Sequence, residues 1–243
     1  MSYWDLILDG PLDGISNMAI DSALLDEVES SPSPSTIVRF YQWRRPTVSF
    51  GRNQQIASAV DETYCAEQGI DIVQRPTGGR AVLHDDELTY AVISNDASHF
   101  GDTIYANYKR VSEALCAAFN RVGVHAVLAC DTRKTRISGL NTDPPCFVSI
   151  SRYELVVDGR KIVGSAQRRL RRSFLQHGSM PIVCDADQLA RIARIADPSA
   201  LRREMAGITE FLPERPTIEK LRNAMVGAFQ DHFAVEFRLR TGD

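Results

Sequence analysis

The stretch from Gln74 to Ile93, QRPTGGRAVLHDDELTYAVI, combines a glycine turn with cationic and imidazole side chains. Adjacent glycines let the backbone adopt conformations closed to other residues, and a ligand can approach the main chain without meeting a Cβ atom. The residues of the turn and the hydrogen-bond donors around it are Gly78, Gly79, Arg75, Arg80 and His84. A glycine turn in a β-rich region is also typical of a hairpin corner, so the stretch alone leaves both interpretations open.

The sequence lacks the familiar phosphate-binding and cysteine-pair motifs. The glycine turn lacks the G-x-x-x-x-G-K-[ST] pattern of a P-loop and the G-x-G-x-x-G pattern of a dinucleotide fold. The cysteines are five in number and contain no C-x-x-C pair, which indicates neither a disulfide framework nor a zinc site. We therefore predict no metal ion and no cofactor.

Composition limits the function classes. The 243 residues, with 44% hydrophobic and 24% charged side chains, are typical of a globular protein with a substantial core. A net charge of -3 argues against a general nucleic-acid-binding protein. The sequence shows no signal-peptide pattern and no apolar run long enough to span a bilayer. We predict a cytoplasmic protein that does not associate with membranes.

Strands and helices alternate without a strict βαβ order. Predicted strands are Tyr3–Leu8, Thr36–Trp43, Thr47–Gly51, Ile70–Gln74 and Val124–Ala129, with a turn at Gly10-Pro11. Asp158-Gly159 predicts a hairpin between Arg152–Val157 and Arg160–Ser165, and Phe174–Val183 is predicted as a third strand of that sheet. Cys130–Pro145 is predicted to be a long surface loop.

Helices are predicted between these strands and towards the C-terminal end of the sequence. One begins at Ser16 or Asn17 and leaves Asp21 on its wetter side, and another covers Val60–Gly69. A third has apolar residues at steps of three and four, namely Tyr105, Tyr108, Val111, Leu115, Phe119 and Val122. Asp185–Phe233 is predicted to be mostly helical. The pattern favours an α+β class with mixed β-sheets flanked by helices, in a single domain over residues 1–243 without an accessory domain.

Several blocks of the sequence resemble a known superfamily. They are RRPTVSFGRNQ at Arg44–Gln54, QRPTGGRAVLHDDELTY at Gln74–Tyr90, YELVVDGRKIVGSAQRR at Tyr153–Arg169 and LQHGS at Leu175–Ser179. Together and in this order they resemble the lipoate-protein ligases and octanoyltransferases. The resemblance implies the mixed α/β catalytic domain that this superfamily shares with biotin-protein ligases.

Two features distinguish the activities within that superfamily. The ATP-dependent ligases usually have a third glycine in the turn, where this sequence has Arg80, whose side chain would crowd a nucleotide approaching the backbone. Cys146, in DPPCFVSIS, precedes the hairpin that contains Lys161. That placement resembles the single-domain cysteine-dependent octanoyltransferases, in which a cysteine accepts the acyl group from an acyl carrier protein and passes it to a lysine of a carrier domain.

The resemblance implies that Cys146 and Lys161 are catalytic. A thiolate nucleophile divides transfer from a thioester to an amine into two easier steps, and it must be partly ionised to attack. Lys161 can stabilise that thiolate or hold the developing oxyanion. The alternatives are that Cys146 is a small buried apolar residue and that Lys161 is a solvated lysine guarding a sheet edge.

The remaining motif residues are predicted to bind the substrate. Arg75 either lines the entrance for the acyl-pantetheine arm or pairs with Asp85 or Asp86, and His84 is either a core histidine or an acid-base group. Gly164 and Ser165 leave space for the acyl chain, and Gly78, Gly79 and Arg80 form the turn. His177 and Gly178 belong to the motif without an assigned chemical step.

Basic residues cluster on either side of Cys146. Arg168, Arg169, Arg171 and Arg172 follow the hairpin, and Arg133, Lys134 and Arg136 lie in the predicted loop. This patch either steers an acidic carrier protein towards the site or is an ordinary solvated surface.

The leading hypothesis is an octanoyltransferase of lipoate biosynthesis. The donor would be octanoyl-acyl carrier protein, and the acceptor a lipoyl-carrier protein such as a glycine cleavage H protein or a dehydrogenase E2 lipoyl domain. The alternatives are an ATP-dependent lipoate-protein ligase, an amidotransferase that moves lipoyl or octanoyl groups between carrier domains, and a non-enzymatic module that binds an acyl group or its carrier.

Overall fold

The computed structural model describes residues 2–130, 133–134, 149–150 and 152–240. In chain order the elements are β1 (Ser2–Leu12), α1 (Gly14–Ser30), β2 (Thr36–Trp43), β3 (Thr47–Gly51), α2 (Ile56–Ala59), α3 (Glu62–Glu67), β4 (Asp71–Arg75), β5 (Val82–His84), β6 (Glu87–Ser94), α4 (Ile104–Arg121), β7 (Val127–Leu128), β8 (Arg133–Lys134), β9 (Ser149–Ile150), β10 (Leu155–Val157), β11 (Arg160–Lys161), β12 (Gly164–Arg169), β13 (Phe174–Pro181), α5 (Ala186–Ile192), α6 (Ser199–Glu204), a 3-10 helix (Ile208–Phe211), α7 (Ile218–Phe233) and β14 (Val235–Leu239).

The largest sheet has six strands in the order β12-β13-β6-β2-β1-β14. Strand β1 pairs in parallel with β2 and β14, whereas β2–β6, β6–β13 and β12–β13 are antiparallel. Strand β2, TIVRFYQW, is rich in β-branched and aromatic residues, which pack well on a pleated surface. The sheet is therefore mixed, as the sequence predicted.

Side chains alternate between the two faces of this sheet and form two cores. On one face Val38, Phe40, Tyr90 and other strand residues pack against helices α4 and α7. On the other face Ile37, Tyr41 and Ile93 pack against α1. Both faces are covered, which explains why every residue of β6 is buried.

Three smaller sheets position the motifs. The first has the order β4-β3-β5, with β4 parallel and β5 antiparallel to β3. The second has the order β11-β10-β7 and contains the hairpin around Asp158-Gly159. The third pairs β8 with β9. The α+β class with mixed sheets flanked by helices is confirmed.

Helix α4 agrees well with its periodic pattern. Val111, Leu115 and Phe119 are fully buried, and the helix is followed by Gly123, which has φ 92°. Thr103 caps the start by accepting a hydrogen bond from the Ala106 amide. Tyr105 departs from the prediction because it is 69% exposed on the outer side of the first turn.

Several predicted boundaries are wrong for tertiary reasons. Gly10-Pro11 does not turn the chain, because β1 continues through it with a register shift and pairs Pro11 with Gln42 of β2. Helix α1 is capped by Asp13, which accepts from the Ser16 amide, and not by Ser16 or Asn17. The helix predicted over Val60–Gly69 corresponds to the shorter α3, which begins after its cap Asp61 and ends at Glu67.

The hairpin region also differs from its prediction. The predicted strand Arg160–Ser165 is divided between β11 and β12, which belong to different sheets. Strand β13 pairs with β12 and β6 in the six-stranded sheet, so it is not the third strand of the Asp158-Gly159 hairpin. The C-terminal β14 was missed because a five-residue edge strand carries little pattern of its own. Most of the predicted loop Cys130–Pro145 lies outside the described residues.

None of the helices in the described ranges has the length and apolar character needed to cross a membrane.

Candidate active site

The glycine turn crosses the end of strand β3 and is not a hairpin corner. It leads from β4 to β5, and these two strands lie on opposite sides of β3. Gly51, the last residue of β3, lies directly under the turn: a Cβ added there would be 2.1 Å from the Gly79 carbonyl oxygen. The Arg52 amide donates to the Thr77 carbonyl at 3.0 Å. The glycine at position 51 therefore permits the end of β3 to approach the backbone of the glycine turn closely.

Arg75 holds the glycine turn from within. Its guanidinium donates to the Gly78 carbonyl through Nε (3.1 Å) and Nη2 (2.8 Å), and Nη2 also donates to the Arg80 carbonyl at 2.7 Å. Nη1 donates to the carbonyl and hydroxyl oxygens of Ser49 at 2.9 and 3.1 Å. These contacts replace the predicted pairing with Asp85 or Asp86, and Asp86 instead forms an ion pair with Arg215 at 2.6 Å.

His84 belongs to a buried hydrogen-bonded relay behind Arg75. Its Nδ1 lies 2.9 Å from Glu87 Oε1 and its Nε2 lies 2.8 Å from Ser49 Oγ. Because a carboxylate only accepts, Nδ1 donates to Glu87, and Nε2 shares a hydrogen bond with the Ser49 hydroxyl. Trp43 stacks on the imidazole with ring centroids 4.1 Å apart. Hydrogen bonds therefore link Glu87 to His84, His84 to Ser49 and Ser49 to Arg75, which contacts the glycine turn.

A second histidine holds the other side of the same turn. His177 Nε2 lies 2.7 Å from Thr77 Oγ1, and Nδ1 lies 2.8 Å from Asp21 Oδ2. Asp21 also accepts from Arg39 Nη1 at 2.8 Å and from the Tyr41 hydroxyl at 3.0 Å. The sequence placed Asp21 on the wet side of α1, but the side chain is fully buried. It is retained there because its charge is matched by Arg39 and by hydrogen bonds.

Burial and charge set the protonation states of this second relay. Burial lowers the pKa of His177, and the hydrogen bond and charge of Asp21 offset only part of that effect. Burial opposes the ionisation of Asp21, but His177 and Arg39 outweigh it, so the pKa of the carboxyl is lower than usual. His177 is therefore a neutral imidazole that donates to a carboxylate and accepts from Thr77.

These pKa shifts predict a loss of stability in mild acid. A His pKa that is lower in the folded chain means that the unfolded chain binds more protons below the ordinary value of 6.5. The melting temperature should fall from pH 7.5 to pH 5.5, and His177→Gln should reduce that fall. For a chain of this length each 1 kcal/mol corresponds to roughly 2–4 °C.

Thermal unfolding at the two pH values measures this effect. The exposed His125, changed to Gln, is a matched control that should leave the pH dependence unchanged. The melting temperature of His177→Gln should still fall somewhat between pH 7.5 and pH 5.5, because partial burial also lowers the pKa of His232. An equal fall in melting temperature in His177→Gln and in the unmodified protein would show that His177 does not cause the loss of stability in acid.

A cavity lies between the two histidine relays. Its walls are largely apolar, and the polar groups His84, His177, Ser49 and Arg75 face it. The apolar wall consists of Met18, Tyr41, Trp43, Val82, Ala166 and Gly178. An apolar chain with one polar end fits such a lining.

The predicted binding residues divide into two groups around this cavity. Arg75, His84, Gly164 and Ser165 line it, whereas Gly78, Gly79 and Arg80 form the neighbouring turn. Among the residues that the structure describes, no atom lies within 4 Å of a Cβ added at Gly78, and Gly79 has φ 91°, which favours glycine. Within the described part of the chain, no group of histidine, cysteine and acidic residues is arranged to hold a metal ion.

Lys161 is buried near this site. It is only 1% exposed, and Nζ donates to Glu154 Oε1 at 2.7 Å. The alternative of a solvated edge lysine is therefore wrong. Lys161 is not among the described residues that line the cavity. Cys146, the predicted nucleophile, lies outside the described residues.

The basic patch is only partly within the described side chains. Arg169, Arg171 and Arg172 are exposed around the turn between β12 and β13, whereas Arg168 is half-buried and reaches the Pro76 carbonyl at 3.5 Å. Arg136 lies outside the described residues, as do the side chains of Arg133 and Lys134.

Sequence reasoning missed the residues that hold the motif in place. They are Asp21, Arg39, Ser49, Thr77, Glu87, Tyr90, Tyr108 and Glu154. One usable signal was Arg39, a charge within the otherwise uncharged strand TIVRFYQW, because a buried charge requires a partner.

Comparisons with known proteins agree with this geometry. A model of the lipoyl protein ligase A/B catalytic domain matches residues 13–230. The chain is 33% identical over 245 residues to octanoyltransferase LipM of Carboxydothermus hydrogenoformans, covering 98% of this chain and 89% of that protein. It is 36% identical over 242 residues to octanoyltransferase LipM of Moorella thermoacetica, covering 96% and 88%.

A solved structure shows the same fold. It is a bipartite lipoate protein ligase of Thermoplasma acidophilum, described with its E2 lipoyl domain, with a TM-score of 0.77 and 24% identity over 100% of this chain and 88% of that one. The resemblance predicted from the sequence blocks is therefore confirmed. The chain belongs to the lipoyl protein ligase A/B catalytic domain family.

Proposed function

We propose that this chain is an octanoyltransferase that moves an octanoyl group from octanoyl-acyl carrier protein to a lysine of a lipoyl-carrier protein. The observation that carries this proposal is the similarity to octanoyltransferases over nearly the whole chain. The largely apolar lining of the cavity, with a few polar groups, matches the chemistry of an acyl chain that ends in a thioester. The reaction needs no ATP, because the donor is already activated.

The proposed reaction has two steps through Cys146. The thiolate attacks the carbonyl of the donor thioester, the carrier thiol leaves and takes up a proton, and an acyl thioester forms on Cys146. The amine of the acceptor lysine then attacks this thioester, forming an amide and releasing the Cys146 thiol. Lys161 supplies a charged donor to the oxyanion of each tetrahedral intermediate. A free thiol nucleophile requires a reducing compartment, so we propose a cytoplasmic location.

A single assay tests this proposal. The protein is incubated with octanoyl-acyl carrier protein without ATP, and intact mass is measured before and after hydroxylamine. We expect a hydroxylamine-sensitive octanoyl adduct that is absent in Cys146→Ser and that disappears when a lipoyl domain or H protein is added. Absence of the adduct, with ATP-dependent attachment of free lipoate, would identify a ligase. Transfer from an octanoylated carrier domain alone would identify an amidotransferase, and no activity would favour a binding module.

The exposed arginines around the β12–β13 turn are the proposed docking surface for the acidic donor. Opposite charges accelerate association and make its rate dependent on salt. Reversing Arg169 and Arg171 to Glu should slow acylation of Cys146 by roughly tenfold at low salt while leaving the melting temperature unchanged. The measurement is the acylation rate at several ionic strengths. An unchanged rate and salt dependence would remove this surface from the proposal.

A further inference from the structure

Lys161 and Glu154 form an ion pair that is shielded from water. The Nζ–Oε1 distance is 2.7 Å, and the two residues are 1% and 5% exposed. A buried ammonium is costly unless a carboxylate or other acceptors match it. The direction of the Lys161 side chain is thus set by Glu154 and not by solvent.

The hairpin geometry brings these two residues together. Lys161 pairs with Val156 in the β10–β11 ladder. Glu154 precedes Val156 by two positions and shares its face, so it is the diagonal neighbour of Lys161. The backbone of Lys161 is fixed as well, because its carbonyl accepts from the Ala206 amide at 3.0 Å. The backbone positions of both Lys161 and Glu154 are therefore fixed by the hairpin.

A strained residue orients Glu154. Tyr153 has φ 70°, a left-handed conformation that is uncommon for a residue with a bulky side chain. It is held there by two hydrogen bonds, from the Tyr153 amide to the Ala129 carbonyl and from the Ala129 amide to the Glu154 carbonyl, both 2.9 Å. Such strain persists where the surrounding structure enforces it, often at functional sites.

Polar side chains lie between this pair and the cavity. The Tyr108 hydroxyl donates to Glu154 Oε1 at 3.4 Å, and Ser165 is near enough to this hydroxyl to influence its pKa. Ser165 lines the cavity, and its Oγ lies 2.7 Å from the Tyr90 hydroxyl. Burial, with the nearby Glu154 charge, raises the pKa of Tyr108 well above its usual value. Tyr108 therefore remains a neutral phenol that can donate to Glu154.

We propose that Glu154, assisted by Tyr108, is a positioning residue that fixes the ammonium of Lys161 for acyl transfer. The proposal rests on the function proposed above, in which Lys161 holds the thioester oxygen. Glu154 acts on the reaction through Lys161 and does not itself contact the substrate. Its removal should therefore slow the chemical step without weakening the binding of either carrier protein.

The test compares variants at Glu154 in the full chain. Preformed octanoyl enzyme is mixed with a lipoyl domain, and single-turnover transfer is followed by intact mass. Glu154→Gln should lower the transfer rate roughly 10- to 100-fold, because misplacement of a catalytic group by about 1 Å has effects of this size. KM for the acceptor should stay within about twofold. Glu154→Asp, which keeps the carboxylate, should recover part of the rate.

A neighbouring ion pair provides a matched control. Glu210 accepts from Arg160, the residue before Lys161, at 2.5 Å on the half-exposed side of the hairpin. Glu210→Gln should leave both the transfer rate and KM unchanged. Absence of the Cys146 adduct in the unmodified protein would count against the proposed function itself. Normal adduct formation and an unchanged transfer rate in folded Glu154→Gln would overturn the positioning role.

A second variant decides the question if Glu154→Gln does not fold. Tyr108→Phe keeps every charge and removes only the hydroxyl that contacts Glu154. We expect a fall of roughly 3- to 10-fold in transfer, the size expected when one long hydrogen bond is lost, with a decrease of roughly 2–4 °C in the melting temperature. Wild-type transfer in both Tyr108→Phe and Glu154→Asp would overturn the proposal.

Discussion

Gly51→Ala should lower kcat/KM for octanoyl transfer by about 100-fold while the protein remains folded. The new Cβ would lie 2.1 Å from the Gly79 carbonyl oxygen and 2.9 Å from the Gly78 carbonyl carbon. Both contacts are with backbone, so no side-chain rotation can relieve them and the glycine turn must move. Such overpacking costs about 1–3 kcal/mol of stability. Displacement of the turn also moves Arg75, whose guanidinium donates to the Gly78 and Arg80 carbonyls.

Steady-state kinetics and thermal unfolding measure the two effects of Gly51→Ala. Gly10→Ala is a suitable control, since a Cβ there meets nothing within 4 Å and the residue is exposed. Gly78→Ala is informative as well: its Cβ meets no atom of the described residues within 4 Å, and a loss of activity there is the result expected if the turn contacts the substrate. Wild-type kinetics in Gly51→Ala would mean that the position of the glycine turn is unimportant for the reaction.

Asp21→Ala should lower the free energy of unfolding by about 3–5 kcal/mol, the cost of removing one partner from a buried ion pair. The change leaves Arg39, fully buried, without the carboxylate that accepts from its Nη1. Arg39 keeps its contacts with Asp9 at 2.7 Å and with the Asn17 side chain at 2.9 Å. His177 loses the acceptor of its Nδ1 proton and with it the orientation that holds Thr77.

Urea unfolding of Asp21→Ala gives this energy directly. Asp26→Ala is the matched control on the same helix, because Asp26 is exposed and should change stability by less than about 0.5 kcal/mol. Transfer activity measured well below the unfolding transition should also fall, since the His177–Thr77 contact fixes one side of the glycine turn. A stability equal to that of Asp26→Ala would show that Arg39 is satisfied without Asp21.

Local patterns in the sequence account for much of the fold. The apolar steps of Val111, Leu115 and Phe119 identify α4, because a helix places residues three and four apart on one face. Asp158-Gly159 identifies the β10–β11 hairpin, and both residues have positive φ values. These features depend on residues close together in sequence, whose backbone preferences act before any distant contact forms.

The order of strands did not follow from such patterns. β4 and β5 are joined by the glycine turn but do not pair with each other, because β3 lies between them. Likewise, the division of Arg160–Ser165 between two sheets depends on which partner each half meets. A strand pattern specifies which face is buried, but it does not specify the neighbouring strand.

By itself, the sequence determined the family, the glycine turn, the hairpin lysine and the apolar periodicity of the principal helix. Only the tertiary structure decided that Gly51 lies under the turn, that Asp21 is buried, and that Glu154 is the partner of Lys161. Asp21 and His177 are 156 residues apart in the chain, yet their atoms are separated by 2.8 Å. Contacts of this kind join polar side chains across the folded core, where burial, and not local backbone preference, selects the partner.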